Sequence, residues 1–182
     1  MREIVQTGDP VLRQVARTMS VEEIRSPETQ QLIAEMRETM RAAPGVGLAA
    51  PQIGESLQLA VIEDRADYLD GVAPEHLAAR QRAPVDFHVI INPKLTLLGE
   101  ATAEFFEGCL SVEGFGAVVP RSLSVRVECL NERADPITIT AHGWYARILQ
   151  HEIDHLNGTL YIDRMYTRSF TTVENAERFA SS

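Results

Sequence analysis

Residues 151–155 read His-Glu-Ile-Asp-His. Side chains four apart on a helix project from one face, so the imidazoles of His151 and His155 could hold one metal ion between them. Glu152 is offset from that line and could move a proton at a water molecule instead of ligating. In a chain with 5 His, composition alone predicts about 0.01 occurrences of this pattern, so the segment reads as a metal site with hydrolytic chemistry. Two histidines do not complete such a site, because catalytic zinc-type centres take three protein ligands and leave a position for water. The longer H-E-x-x-H-x-x-G-x-x-H pattern fails: Gly158 is in place, but its final position is Tyr161. Glu174 has the separation from His155 found in one class of zinc peptidases, yet it sits in the polar stretch TRSFTTVENAERFASS. Cys109, in EGCLS, offers a thiolate, which is a strong metal ligand. Cys129 alternates inward on a strand with Arg126 and Glu128, and reads as core.

The motif must ride on a helix beginning near Gly143 and stopping at Asn157-Gly158. Trp144, Ile148, His151 and His155 share a face. Leu149, Ile153 and Leu156 fill the flank beside it, and Arg147, Gln150, Asp154 and Asn157 make one narrow polar stripe. A helix apolar over most of its circumference is predicted to be buried. A second helix is predicted over 27–42, started by Ser26-Pro27 and ended by Ala43-Pro44-Gly45. A Gly-rich stretch, 45–54, follows it. Strands are predicted at 57–63, 87–92, 95–98, 103–106, 117–119, 123–130 and 137–142. Residues 64–85, with Gly71, Pro74 and Pro84, read as a long surface loop with a short helix near His76. The pattern is that of an α+β protein, a single domain over 1–182 with 166–182 as a C-terminal tail.

Net charge is -9, which argues against a nucleic-acid binder, since phosphate neutralisation needs a basic face. No apolar run reaches membrane-spanning length. The start, MREIVQTGDPVLRQVA, shows neither an apolar signal core nor an Arg/Ser-rich amphipathic stretch, so a cytoplasmic location is expected. Two cysteines without a signal sequence suggest a reducing compartment and no disulfide.

Three stretches together, GVGLAAPQ (45–52), EGCLS (107–111) and QHEIDH (150–155), resemble the peptide deformylase family, and the likeness runs from Gly8-Asp9-Pro10 to about Met165. The flanking GWYARILQHEIDHLNGTLYID and the 64–85 insertion are most similar to the branch that includes mitochondrial-type and many bacterial enzymes, and a bacterial source is the simpler reading. The resemblance implies antiparallel sheets packed around a central HExxH helix. It implies that Cys109, His151 and His155 bind one divalent metal, with water in the fourth position, and that Glu152 is general base and then general acid. The Gln52 side-chain amide and the Leu110 backbone N–H would donate to the oxyanion. Gly47 would let substrate backbone approach closely, and Glu107 and Arg121 would pair. Val46, Trp144, Ile148 and Leu110 are the candidates for an apolar pocket holding methionine. The expected metal in vivo is Fe2+, with Zn2+, Ni2+ or Co2+ able to replace it. The expected substrates are N-formylmethionyl nascent peptides, from which formate is released. Any contact with the ribosome would be weak, through Arg164, Arg168 or Arg178. The competing reading is an HExxH zinc peptidase with Glu174 as third ligand. The chain departs from the family's common EGCLSVPGFRA at Glu113 and Gly116, which bears on peptide preference.

Overall fold

The computed structural model describes residues 1–179, so the last three residues of the expected tail lie outside it. Two serines open the first helices. Ser20 Oγ accepts from Glu23 N at the head of α1 (Val21–Arg25), and Ser26 Oγ accepts from Thr29 N at the head of α2 (Pro27–Ala42). α2 lies where the sequence predicts it. α1 escaped prediction because five residues are too few to display a helical period. There follow β1 (Gly47–Ala49), β2 (Leu59–Asp64), α3 (Pro74–Arg80), β3 (Val85–Leu97), β4 (Thr102–Cys109) and β5 (Val112–Ser122). The chain continues through β6 (Ser124–Leu130), β7 (Pro136–His142), α4 (Gly143–Leu156), β8 (Thr171–Thr172) and α5 (Val173–Phe179). Among the described residues, no helix is long and apolar enough to cross a membrane.

The strands form two antiparallel sheets, of order β1-β2-β3-β6-β7 and β4-β5-β8. Successive strand residues face opposite sides, and β2 uses both. Leu59 and Val61 join α2 residues Met36 and Met40 in one apolar cluster; Ala60 and Ile62 join Leu149 and Ile153 of α4 in another. An uninterrupted apolar run is therefore what a central strand under two helices requires. On β6, Val125, Val127 and Cys129 face α4 while Arg126 and Glu128 face solvent, as their alternation predicts. The small sheet closes the far side of α4 over a third cluster containing Leu12, Val119 and Tyr161. The observed class is α+β, with α4 between the two antiparallel sheets.

Three expectations are corrected. The strands predicted at 87–92 and 95–98 are one continuous β3; Asn92-Pro93, which reads as a break, is a register shift. Asn92 takes φ +51°, and its side-chain amide bonds both Met19 N (2.9 Å) and Met19 O (2.8 Å), which holds the irregularity in place. The strands predicted at 103–106 and 117–119 are longer: β4 runs on to Cys109 and β5 starts at Val112, so Cys109 ends a strand. The expected tail is not an appendage: Thr171 and Thr172 pair with Gly116 and Phe115 to add a third strand, and α5 follows directly. Within 64–85, α3 is the short helix expected near His76.

Candidate active site

β4 delivers Cys109, and α4 delivers both histidines, to one point. Cys109 Sγ lies 3.2 Å from His155 Nε2, which lies 3.2 Å from His151 Nε2. These atoms are within 4.8 Å of one another, and among the described residues they form the group that could hold a metal. His151 Nδ1–H donates to Glu107 Oε1 at 2.7 Å, which leaves its Nε2 lone pair for a metal. Burial opposes a charge on His151, but Cys109 and Glu107 outweigh it and hold its pKa well above the usual value. Burial and the adjacent His151 hold His155 neutral, its pKa well below the usual value. The set thus joins one cysteine sulfur and two imidazoles, with a carboxylate behind them. By donor type the set fits a divalent metal.

Glu107 is the hub behind the three donors. It accepts from Arg121 Nη2 (2.6 Å) and Arg147 Nη1 (2.7 Å) as well as from His151. Burial pushes its carboxyl up, but His151 and Arg121 outweigh that and hold it well below the usual carboxylate range. Arg121 also pairs with Asp154, which Arg164 grips from the other side through Nε and Nη2, both at 2.6 Å. Gln150 binds the backbone of Ser122, accepting from its N–H (3.0 Å) and donating to its C=O (2.9 Å). The polar stripe of α4 is therefore mostly buried: Arg147, Gln150 and Asp154 lock α4 to β4 and β5. The pairing of Glu107 with Arg121 matches the expectation. The roles of Arg147 and Asp154 were missed. The signal available was the i, i+3, i+7 polar spacing on an otherwise apolar helix, but nothing in the sequence names its partners. Arg164, one of the three arginines named for any weak ribosome contact, pairs with Asp154.

Glu152 is 3 % exposed, and burial pushes its carboxyl up to about 7. It packs directly on Gly47, where a Cβ would sit 2.5 Å from its Cδ. The structure thus adds a second reason for a glycine at position 47. The absent side chain leaves room for the Glu152 carboxyl group, not only for substrate. Gly47→Ala is accordingly expected to displace that carboxyl and to lower hydrolytic activity by about 10²-fold, the usual cost of ångström-scale misplacement. Metal content and melting temperature should stay near wild type; activity within about threefold of wild type, by the same standard, would refute this account of Gly47.

Gln52 stands on the 3₁₀ turn Ala50–Ile53, 1 % exposed. Its Oε1 accepts from Ala49 N (2.9 Å), which fixes the amide so that Nε2 points at Ser111 Oγ (3.3 Å) and Cys109 Sγ (3.6 Å). Ser111, fully buried, is a second supporting residue that the sequence reading did not single out. A cleft of about 320 Å³ opens above the donor cluster. Val46, Gly47, Gln52, Cys109, Leu110, Trp144, Ile148, His151 and Glu152 all line it, and His155 lies behind them. Its size suits a small-molecule or peptide-terminus ligand. Cys129 is core, its thiol pushed up to about 11 by burial. Glu174 is exposed on α5 and outside the donor group, which removes the support for the zinc-peptidase ligand set. At Gly116 a Cβ would meet the Phe106 ring at 2.5 Å, so this departure makes room for an aromatic side chain at the cleft wall. Glu113 is exposed, and its N–H is held by Gln6 Oε1 at 3.2 Å.

The family model for polypeptide deformylase matches residues 1–170. The chain is 52% identical over 177 residues to the chloroplastic peptide deformylase 1A of Solanum lycopersicum, covering 97% of this chain and 64% of that relative. It therefore spans just under two thirds of that relative's length. It is 41% identical over 170 residues to the mitochondrial peptide deformylase of Homo sapiens, covering 93% of this chain and 70% of that one. A Met-Ala-Ser-bound crystal structure of a class I type b peptide deformylase from Acinetobacter baumannii superposes with TM-score 0.80 at 29% identity. That match covers 91% of this chain and 98% of the other.

Proposed function

Because this chain belongs to the polypeptide deformylase family, we propose that it hydrolyses the formyl amide of N-formylmethionyl peptides, releasing formate and a free N-terminus. The observation that carries the reading is the convergence of Cys109, His151 and His155 beside Glu152, with His155 just behind the floor of the cleft that the other three line. A divalent metal held by those three residues would supply Lewis acidity and lower the pKa of bound water towards about 7. Ferrous iron is our proposal for the metal in the cell. Zinc, nickel and cobalt are compatible with the same donors, and affinity order alone would favour zinc over iron.

The protein groups then divide the work. Glu152 takes a proton from the attacking water and returns it to the departing amine nitrogen, as the formyl C–N bond breaks and the new C–O bond remains in formate. Burial suits it to both transfers, since a carboxyl near neutrality both accepts and donates at physiological pH. The Gln52 amide N–H and the Leu110 backbone N–H donate to the oxygen that gains charge. Val46, Trp144, Ile148 and Leu110 exclude water from around the methionine side chain. Nascent chains are the proposed substrate source and the bacterial cytoplasm the proposed setting. Weak ribosome contact would then fall to Arg168 and Arg178, which salt-dependent co-sedimentation would test.

The test is anaerobic purification with metal analysis, followed by a formate-release assay on formyl-Met-Ala peptides. We expect one divalent metal per chain, formate release, and no cleavage of unformylated peptides. Cys109→Ala is expected to lose most of the metal and activity while Glu174→Ala keeps both. Full metal content and turnover in Cys109→Ala would overturn the assignment.

A further inference from the structure

Trp144 forms part of the cleft wall, and three guanidinium groups surround its indole. Arg80 lies 4.9 Å from the ring centroid, Arg82 5.4 Å and Arg147 5.8 Å, and Phe105 meets it edge-on at 6.3 Å. Arg147 is tied to Glu107, and Arg82 to Asp64 through two bonds of 2.8 Å. Arg80 differs from both. Among the described residues no carboxylate pairs with it, yet it is partly buried, and it also lies 5.7 Å from the Phe105 ring. Burial and then Arg82 lower its pKa, so its place is not set by an ion pair. The two aromatic faces are what hold it.

The backbone is built for this approach. Gly143, the residue before Trp144, takes φ +58°, and a Cβ there would lie 2.5 Å from Gln81 Cβ and 2.8 Å from Arg80 O. The end of α3 therefore rests on the start of α4, in space that only a glycine leaves open. Arg80 and Arg82 thus reach the cleft wall through the indole.

We infer that Arg80 is a specificity-setting positioning residue: stacked on Trp144 and Phe105, it fixes the wall against which the substrate's N-terminal side chain packs. The inference rests on the deformylase reading for its substrate, but not for its geometry. A guanidinium over an aromatic face is attracted by the ring quadrupole, more strongly where water is excluded. Losing it frees the indole to change rotamer and softens the wall without touching the metal ligands or Glu152.

Trp144 is the single tryptophan of the chain, so its fluorescence reads the clamp directly in the full-length, metal-loaded protein, without substrate. Arg80→Ala is expected to shift the emission to the red, lower its anisotropy and raise acrylamide quenching. With formyl-Met-Ala peptide, KM should rise about fivefold while kcat stays within about twofold. The preference for formyl-Met over formyl-Val peptides should narrow. Arg80→Lys keeps the charge but not the planar stack, and should fall between wild type and Arg80→Ala. Unchanged emission, quenching and side-chain preference in Arg80→Ala overturn the inference. So does a parallel fall of kcat, metal content and melting temperature, which would mark a merely structural role. A wild type inert on formyl peptides would sink the deformylase reading and the specificity claim with it, while the fluorescence arm still reports whether the clamp exists.

Discussion

Replacing Glu152 by glutamine is expected to lower kcat for formate release by a factor on the order of 10²–10⁴, the range for losing a positioned general acid–base group. The upper part of that range is expected because, on the proposed mechanism, one carboxyl would serve two transfers, from water and to the leaving amine. The amide is the same size and fits the space beside Gly47, so the cleft should keep its shape. It also removes a carboxylate that burial disfavours and whose Oε2 finds no hydrogen-bond partner in the structure. The melting temperature of Glu152→Gln should therefore not fall. The three donor atoms are untouched, so metal content should match wild type. Steady-state kinetics, metal analysis and a thermal melt on one preparation decide the matter. A variant that keeps kcat within about tenfold, below the range expected for this group, removes Glu152 from the mechanism. A variant that loses metal shows that the carboxyl helps to hold the ion instead.

The second large effect is on stability. Glu107→Ala would strip a shared partner from Arg121 and Arg147, whose side chains are 3% and 4% exposed. Breaking a buried pair by removing one partner costs about 3–5 kcal/mol, because the remaining charge stays desolvated. Arg121 keeps Asp154, and Arg147 keeps the carbonyls of Val119 and Ala103, which places the expected loss near the lower end. For a domain of this size the melting temperature should fall by roughly 6–12 °C. His151 would lose the acceptor that orients its ring, and metal affinity should drop about 10–100-fold. Asp67→Ala is the control. Its pair with Arg65 has the same chemistry but is 41% and 52% exposed, and such pairs contribute about 0–1 kcal/mol. Equal losses from the two substitutions would show that burial is not what makes the Glu107 network matter. Competition with a metallochromic chelator checks the affinity, since an unchanged metal constant would separate Glu107 from the site altogether.

The metal chemistry was legible in the sequence because a helix converts spacing into proximity: His151 and His155 must share a face once their segment is helical. The buried position of α4 was legible from its nearly all-round apolar surface, and that of β6 from strict alternation at Val125, Val127 and Cys129. The strands the sequence misjudged carry local signals that point elsewhere. Asn92-Pro93 looks like a turn until the Met19 backbone is seen to hold it, and Thr171-Thr172 is too short to declare itself a strand. The third member of the donor cluster was of another kind. Cys109 and His155 are 46 positions apart, and no periodicity relates them. Resemblance to a family pointed to the cysteine, but only the folded chain brings its sulfur to the imidazole. The same holds for Arg147 and Asp154, whose spacing announces a polar stripe and says nothing of Glu107 or Arg121 across the sheet boundary. Local spacing along one element was thus determined by the sequence itself. Which elements face one another, and so which polar groups are buried and paired, was decided only when the small sheet closed over α4. Long-range pairing depends on the whole set of packing and desolvation energies, and no short stretch of sequence contains it.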